Sequence, residues 1–143
     1  MPHISVIIPV YNAGNYIVDT LNSVLQQTLK DIEVIVVNDG SNDQSLVECY
    51  RLQEIDKRII IINQDNQGVS KARNVGKQNA TGDYIIFIDA DDELDCRMLE
   101  ILYTQARKTD SDISVCGVDR IFEKKQEEKK KYHCNYEEIT VDQ

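Results

Sequence analysis

Runs of Val and Ile start at Ile4, Ile32, Ile59, Tyr84 and Ile113, an interval of about 25–29 residues, which is the length of one strand plus one crossover helix. Continuous aliphatic runs of this kind predict strands buried on both faces, and so a parallel sheet covered by helices. The intervals carry helical spacing. Ile17, Leu21, Val24 and Leu25 follow the i, i+4, i+7, i+8 pattern of a helix packed on a sheet. Leu46, Val47, Tyr50 and Ile55 make a weaker apolar face, Ser70–Asn79 a short helix, and Leu94, Met98, Leu99, Leu102, Tyr103 and Ala106 a third apolar stripe. Strand and helix in alternation predict an α/β fold, a doubly wound and mainly parallel sheet with right-handed crossovers.

After Val118 the alternation stops. Glu123–Lys131 is a mixed-charge run, expected as a solvated helix or a mobile loop. Ile139 and Val141 hint at one more element that the chain does not complete, so the sequence reads as cut short at its C-terminus. Residues 1–118 are read as one α/β domain, and 119–143 as a charged tail leading into a truncated second half.

Four polar clusters each follow an apolar run: Tyr11-Asn12-Ala13-Gly14, Asn38-Asp39-Gly40-Ser41, Gln64-Asp65-Asn66-Gln67-Gly68 and Asp89-Ala90-Asp91-Asp92. In a parallel sheet they share one rim, outside the carboxyl ends of the strands, where open α/β sheets bind ligands. Asp89 and Asp91 are hard oxygen ligands suited to Mg²⁺ or Mn²⁺, and such an ion bridges a diphosphate. Two acids one residue apart can divide the work, one on the metal and one on a sugar hydroxyl. The bland alternative is helix capping, a role expected of Asp92 or Glu93 before a helix beginning near Leu94. The Asp39 cluster can equally be read as a turn. If it is more than that, Asp39 can accept a pyrimidine N–H beside a Tyr11 ring that offers a stacking face. Arg73 presents a planar fork suited to phosphate oxygens, with Ala72 and Gly76 allowing close packing around it. Lys71, Lys77, His3 and His133 are expected to play no part.

Composition closes off other classes. The formal charge of −9 argues against nucleic acid as the main partner. No apolar run approaches the roughly 20 residues that span a bilayer, and Met1-Pro2-His3 leads straight into the first strand without a signal sequence. The expected location is therefore cytoplasmic, including the inner face of the membrane, with no membrane association encoded in the chain. Cys49, Cys96, Cys116 and Cys134 form no CxxC pair and are expected as free thiols, Cys116 in the core. No GxGxxG follows the first strand, which excludes a dinucleotide-dependent dehydrogenase. Tyr11-Asn12 occupies the place where a phosphatase would carry paired aspartates.

Ser5–Asn12, Val37-Asn38-Asp39-Gly40-Ser41, Gly68 with Ala72-Arg73-Asn74 and Gly76, and Ile88-Asp89-Ala90-Asp91-Asp92 together resemble a family 2 glycosyltransferase of GT-A fold, in that family's order from residue 4 to about 118. The resemblance implies a Rossmann-like nucleotide-binding half and a nucleotide-diphosphate-sugar donor, commonly UDP-linked. It further implies an acceptor hydroxyl on a saccharide or lipid-linked molecule, and transfer with inversion. The substrate-binding set so implied is Pro9, Tyr11, Asn12, Asp39, Arg73, Asp89, Ala90 and Asp91. Pro9, Tyr11 and Asp39 lie at the nucleobase, Arg73 at the nucleotide, Asp89 near the ribose, and Asp91, with Asp89, at an Mg or Mn ion. In that family the general base lies well beyond the metal motif. None of Asp119, Glu123, Glu127, Glu128, Glu137 and Glu138 is a convincing candidate, so the base is expected beyond Gln143. A nucleotide-sugar-binding module that does no chemistry is the alternative.

Overall fold

The computed structural model describes residues 1–122 and 128–132. Its elements are β1 (Ile4–Val10), α1 (Ile17–Leu25), β2 (Ile32–Asp39), α2 (Ser45–Ile55), β3 (Ile59–Gln64), α3 (Val69–Asn79), β4 (Tyr84–Phe87), β5 (Glu93–Leu94), α4 (Met98–Thr109), β6 (Asp119–Phe122) and β7 (Glu128–Tyr132). The main sheet is wholly parallel in the order β3-β2-β1-β4. The chain winds outward from β1 to β3 and returns to the far side of β1 for β4. The direction of winding therefore reverses between β1 and β4, which opens a crevice at their carboxyl ends.

Alternation along the strands divides the core in two. Val6, Ile8 and Val10, with Val34 and Val36, pack against Ile17, Leu21 and Val24 of α1, Cys49 and Leu52 of α2, and Met98 and Leu99 of α4. Ile7, Ile35 and Val37 face the opposite way, against Ala72 of α3. That helix lies very close to the sheet. A Cβ on Gly76 would stand 2.3 Å from Cγ2 of Ile7, so the position has no room for any side chain. Pro9 sits in β1 beyond the last β4 partner, since the β1–β4 ladder ends at Ile7 and Phe87. A residue without an N–H is tolerated there.

Several expectations need correction. β1 and β2 are buried along their whole length, but β3 and β4 are the sheet edges, and Ile60, Ile85 and Phe87 are partly open to solvent. The buried face of α2 is Ser45, Cys49 and Leu52; Val47, Tyr50 and Ile55 point outward. The buried face of α2 is thus rotated by one to three positions from the apolar one. The run at Ile113 forms no strand: Ile113 and Val115 are each 77% exposed. It runs past β4, held by the Tyr84 hydroxyl donating to Ser111 O (3.1 Å), with a cleft of about 170 Å³ between them. Cys116 is half-buried against the main core. Leu94 belongs to β5, and α4 begins only at Met98. Of the mixed-charge run, residues 128–131 lie in β7, which pairs antiparallel with β6 and parallel with β5; residues 123–127 lie outside the described residues, as do His133, Cys134 and residues 135–143. No helix among the described residues is long and apolar enough to cross a membrane.

Candidate functional site

All four polar clusters follow the carboxyl ends of the strands. The first is a built loop. Asn12 has φ +50°, a backbone state that Asn tolerates better than most residues, and four bonds hold it there. Its N–H donates to Ser41 Oγ (3.0 Å), and its Oδ1 accepts from Asn42 N (2.9 Å). Ala13 N donates to Ser45 Oγ (2.8 Å) and Gly14 N to Asp43 Oδ2 (2.9 Å). The Asn12 side chain is thus spent on the loop, while Tyr11, 55% exposed, keeps a free ring. Pro9 is buried one step inside the rim. Asp43 and Ser45 were not singled out in the sequence. Their one visible signal was an Asp two residues before a helix start, where Asx turns form.

Asp39 ends β2 almost fully buried, beside Gln64 at the end of β3. Its Oδ1 accepts from Gln64 Nε2 (2.7 Å) and Gln67 N (2.9 Å), and its Oδ2 from Gly68 N (2.8 Å). Burial pushes this carboxyl upward, but the three donors outweigh it and hold the group below the ordinary carboxylate range. It is therefore an anion at neutral pH, with lone-pair capacity left on Oδ2. The turn that brings these amides round needs glycine at two points. Gly68 has φ +89°, and Gly40, at φ +72°, lies so close to Asn66 that a Cβ would stand 2.7 Å from its nitrogen.

The acidic cluster is not three bare carboxylates. Asp89 is half-exposed and accepts from Arg73 Nη2 at 2.7 Å. Ala90 is buried, Asp91 is exposed with no hydrogen bond or ion pair to any described residue, and Asp92 turns inward, 1% exposed. Mutual repulsion is relieved by this dispersal as well as by Arg73. The capping expected of Asp92 or Glu93 is not made: α4 has no side-chain cap, and ahead of it Asp95 Oδ1 accepts from Arg97 N (3.0 Å) in an Asx turn. Arg73 Nε is buried without a partner, an orphaned donor beside the crevice. Lys71 and Lys77 are exposed, as expected. His3 stacks on Tyr103 (4.4 Å between ring centroids), away from the rim.

The crevice can thus offer a stacking ring, a buried anionic acceptor, an Arg–Asp pair and one free carboxylate. Among the described residues no three His, Cys, Asp or Glu converge to hold an ion by themselves. The donor set fits a divalent cation only where a ligand's oxygens complete its shell, the usual habit of Mg²⁺ with phosphates.

Comparison with known proteins supplies the family. The glycosyltransferase GlyA of Streptococcus pneumoniae is 46% identical over 112 residues, 78% of this chain but 16% of that protein. The crystal structure of Staphylococcus aureus TarS 1–349 in complex with UDP-GlcNAc superposes with a TM-score of 0.68 at 32% identity, covering 76% of this chain and 32% of that one. The mannosyltransferase PcManGT from Pyrobaculum calidifontis, solved with GDP-Man and Mn²⁺, gives 0.60 at 27% identity, over 63% of this chain and 28% of that one. The chain therefore spans well under half the length of the relatives it matches. Their shared architecture is GT-A, and the model of the family described as Glycosyl transferase family 2 matches residues 5–141. The chain belongs to glycosyl transferase family 2.

Proposed function

We propose that this chain binds the nucleotide-diphosphate part of a sugar donor, most simply a UDP-sugar, at the β1/β4 crevice, for transfer to an acceptor hydroxyl on a saccharide or lipid-linked molecule with inversion. The observation that carries the reading is the convergence on one rim of Tyr11, Asp39, the Arg73–Asp89 pair and the unpaired Asp91. Tyr11 stacks on the base and Asp39 accepts its ring N–H. Asp89, held by Arg73, takes a ribose hydroxyl, and the remaining donors of Arg73 face the nucleotide. Asp91, with Asp89, would hold Mg²⁺ or Mn²⁺ against the diphosphate. When bound, such a cation offsets the charge that builds on the leaving diphosphate. Inversion also needs a general base to take the acceptor's proton. No described residue is assigned that role, and we place it outside residues 1–118, which form the donor-binding unit. A second reading, donor binding without transfer by these residues alone, is supported by the 16% of GlyA and 32% of TarS 1–349 that the chain spans.

Calorimetry of UDP binding with and without Mn²⁺ tests the proposal. The wild-type chain should bind UDP more tightly with the ion, and Asp91→Asn should lose most of that gain while keeping its fold. Equal affinity with and without metal sinks the assignment of Asp91.

A further inference from the structure

Helix α1 is apolar where it meets the sheet, yet it carries a polar row at Thr20 and Ser23, continued by Gln27 just past its end. Thr20 and Gln27 are 1% and 0% exposed. A buried hydroxyl or amide is costly unless bonded. Ser23 Oγ donates to Thr20 O (2.8 Å) and Gln27 Nε2 to Ser23 O (3.1 Å), and the other bonds of the three side chains lead to the segment that carries the acids. Thr20 Oγ1 donates to Ala90 O (2.8 Å), and Leu94 N donates to Ser23 Oγ (3.1 Å). Gln27 Nε2 donates to Asp95 O (2.7 Å), while its Oε1 accepts from Leu99 N (3.0 Å). Thr28 N donates to Cys96 O (2.8 Å). Residues 90–99 thus lie along α1 as if pairing with a strand, joined by side chains 68–72 positions away in sequence.

Asp91 has no side-chain partner to orient it. Its carboxylate can be aimed only by its backbone, and the nearest anchors are the Ala90 carbonyl on one side and the turn from Asp92 N to Asp89 O (3.1 Å) on the other. A peptide plane released at Ala90 swings the Cα–Cβ bond of Asp91 with it. We propose that Thr20 is a positioning residue for cation binding: through the Ala90 carbonyl it fixes the Asp91 carboxylate where a divalent ion and a diphosphate can share it. This rests on the function proposed above.

The test measures UDP affinity of the whole chain with and without Mn²⁺ by calorimetry, for the wild type, Thr20→Val and Thr20→Ser. Thr20→Val preserves shape and removes the hydroxyl. The metal-dependent gain should fall at least fivefold in Thr20→Val and recover in Thr20→Ser. A merely structural Thr20 would lower both affinities together and leave their ratio unchanged, and that result overturns the inference alone. A wild type with no metal-dependent gain overturns the function and this inference together. Should Thr20→Val fail to fold, Thr20→Ala, which likewise frees the Ala90 carbonyl, carries the same test with the same loss in the gain expected; an unchanged gain overturns the inference.

Discussion

Glu33 and Asp39 lie on the same strand, six positions apart, at opposite ends of the sheet, and they are almost the same object chemically. Both are nearly buried. Glu33 Oε1 accepts from Ser5 Oγ (2.6 Å), Thr81 N (2.6 Å) and Thr81 Oγ1 (3.0 Å), as Asp39 accepts from Gln64, Gln67 and Gly68. In each, burial pushes the carboxyl up and hydrogen bonds bring it below its ordinary value. Yet Glu33 staples the α3–β4 connection under the amino ends of the strands, the end of the sheet away from the four polar clusters. Asp39 lies one step past the Asn38–Val10 pair, at the carboxyl ends. A depressed, well-bonded carboxylate is therefore no sign of a ligand site; its place in the topology decides.

The contrast can be broken by mutation. Glu33→Ala leaves the Ser5 hydroxyl and Thr81 N–H unpaired, so about 2–3 kcal/mol of stability should be lost in urea unfolding, with UDP affinity unchanged within about twofold. A matching loss of UDP affinity would erase the distinction between the two ends. Asp39→Ala should weaken UDP binding by roughly tenfold or more, about 1.4 kcal/mol, beyond whatever stability it forfeits. If affinity survives, Asp39 is a loop staple like Glu33 and nothing else. Asp43→Ala, which frees Gly14 N and loosens the loop behind Tyr11, should cost about 1 kcal/mol of stability. It should also weaken UDP less than Asp39→Ala does; the reverse order would move the base pocket's anchor to Asp43.

Acid sharpens the comparison with the smallest effect. Both carboxyls titrate lower in the folded chain than in the unfolded one, so the unfolded state binds more protons as pH falls. Their contribution is complete above the ordinary carboxylate range and disappears as pH drops through the depressed values. Glu33→Gln should therefore flatten part of the acid limb of stability against pH measured by thermal melting. An unchanged acid limb would show that the Glu33 cluster contributes no linkage.

The sequence was most legible where one physical rule acted alone. Unbroken aliphatic runs marked β1 and β2, 3.6-residue spacing marked α1 and α4, and polar clusters after each run marked the rim that the topology then gathered. Reading failed where two rules competed. Val47, Tyr50 and Ile55 have the make-up of core residues, but α2 buries Ser45, Cys49 and Leu52 in their place. Ile113–Val118 has the composition of a strand and found no ladder. Ile85 and Phe87 resemble Ile7 and Ile35, yet α3 covers only the latter pair, so β4 stays half bare.

By itself, then, the order of residues determined the alternation of strand and helix and the rim on which Tyr11, Asp39, Asp89 and Asp91 fall, because periodicity and turn chemistry are local. Only the tertiary structure decided that Asn12 serves its loop, that Arg73 grips Asp89 while Asp91 stays free, and that Thr20, Ser23 and Gln27 hold the acid segment. Each of those depends on a hydrogen bond or ion pair between groups 16 to 71 residues apart, and no local pattern encodes which distant partner a side chain meets.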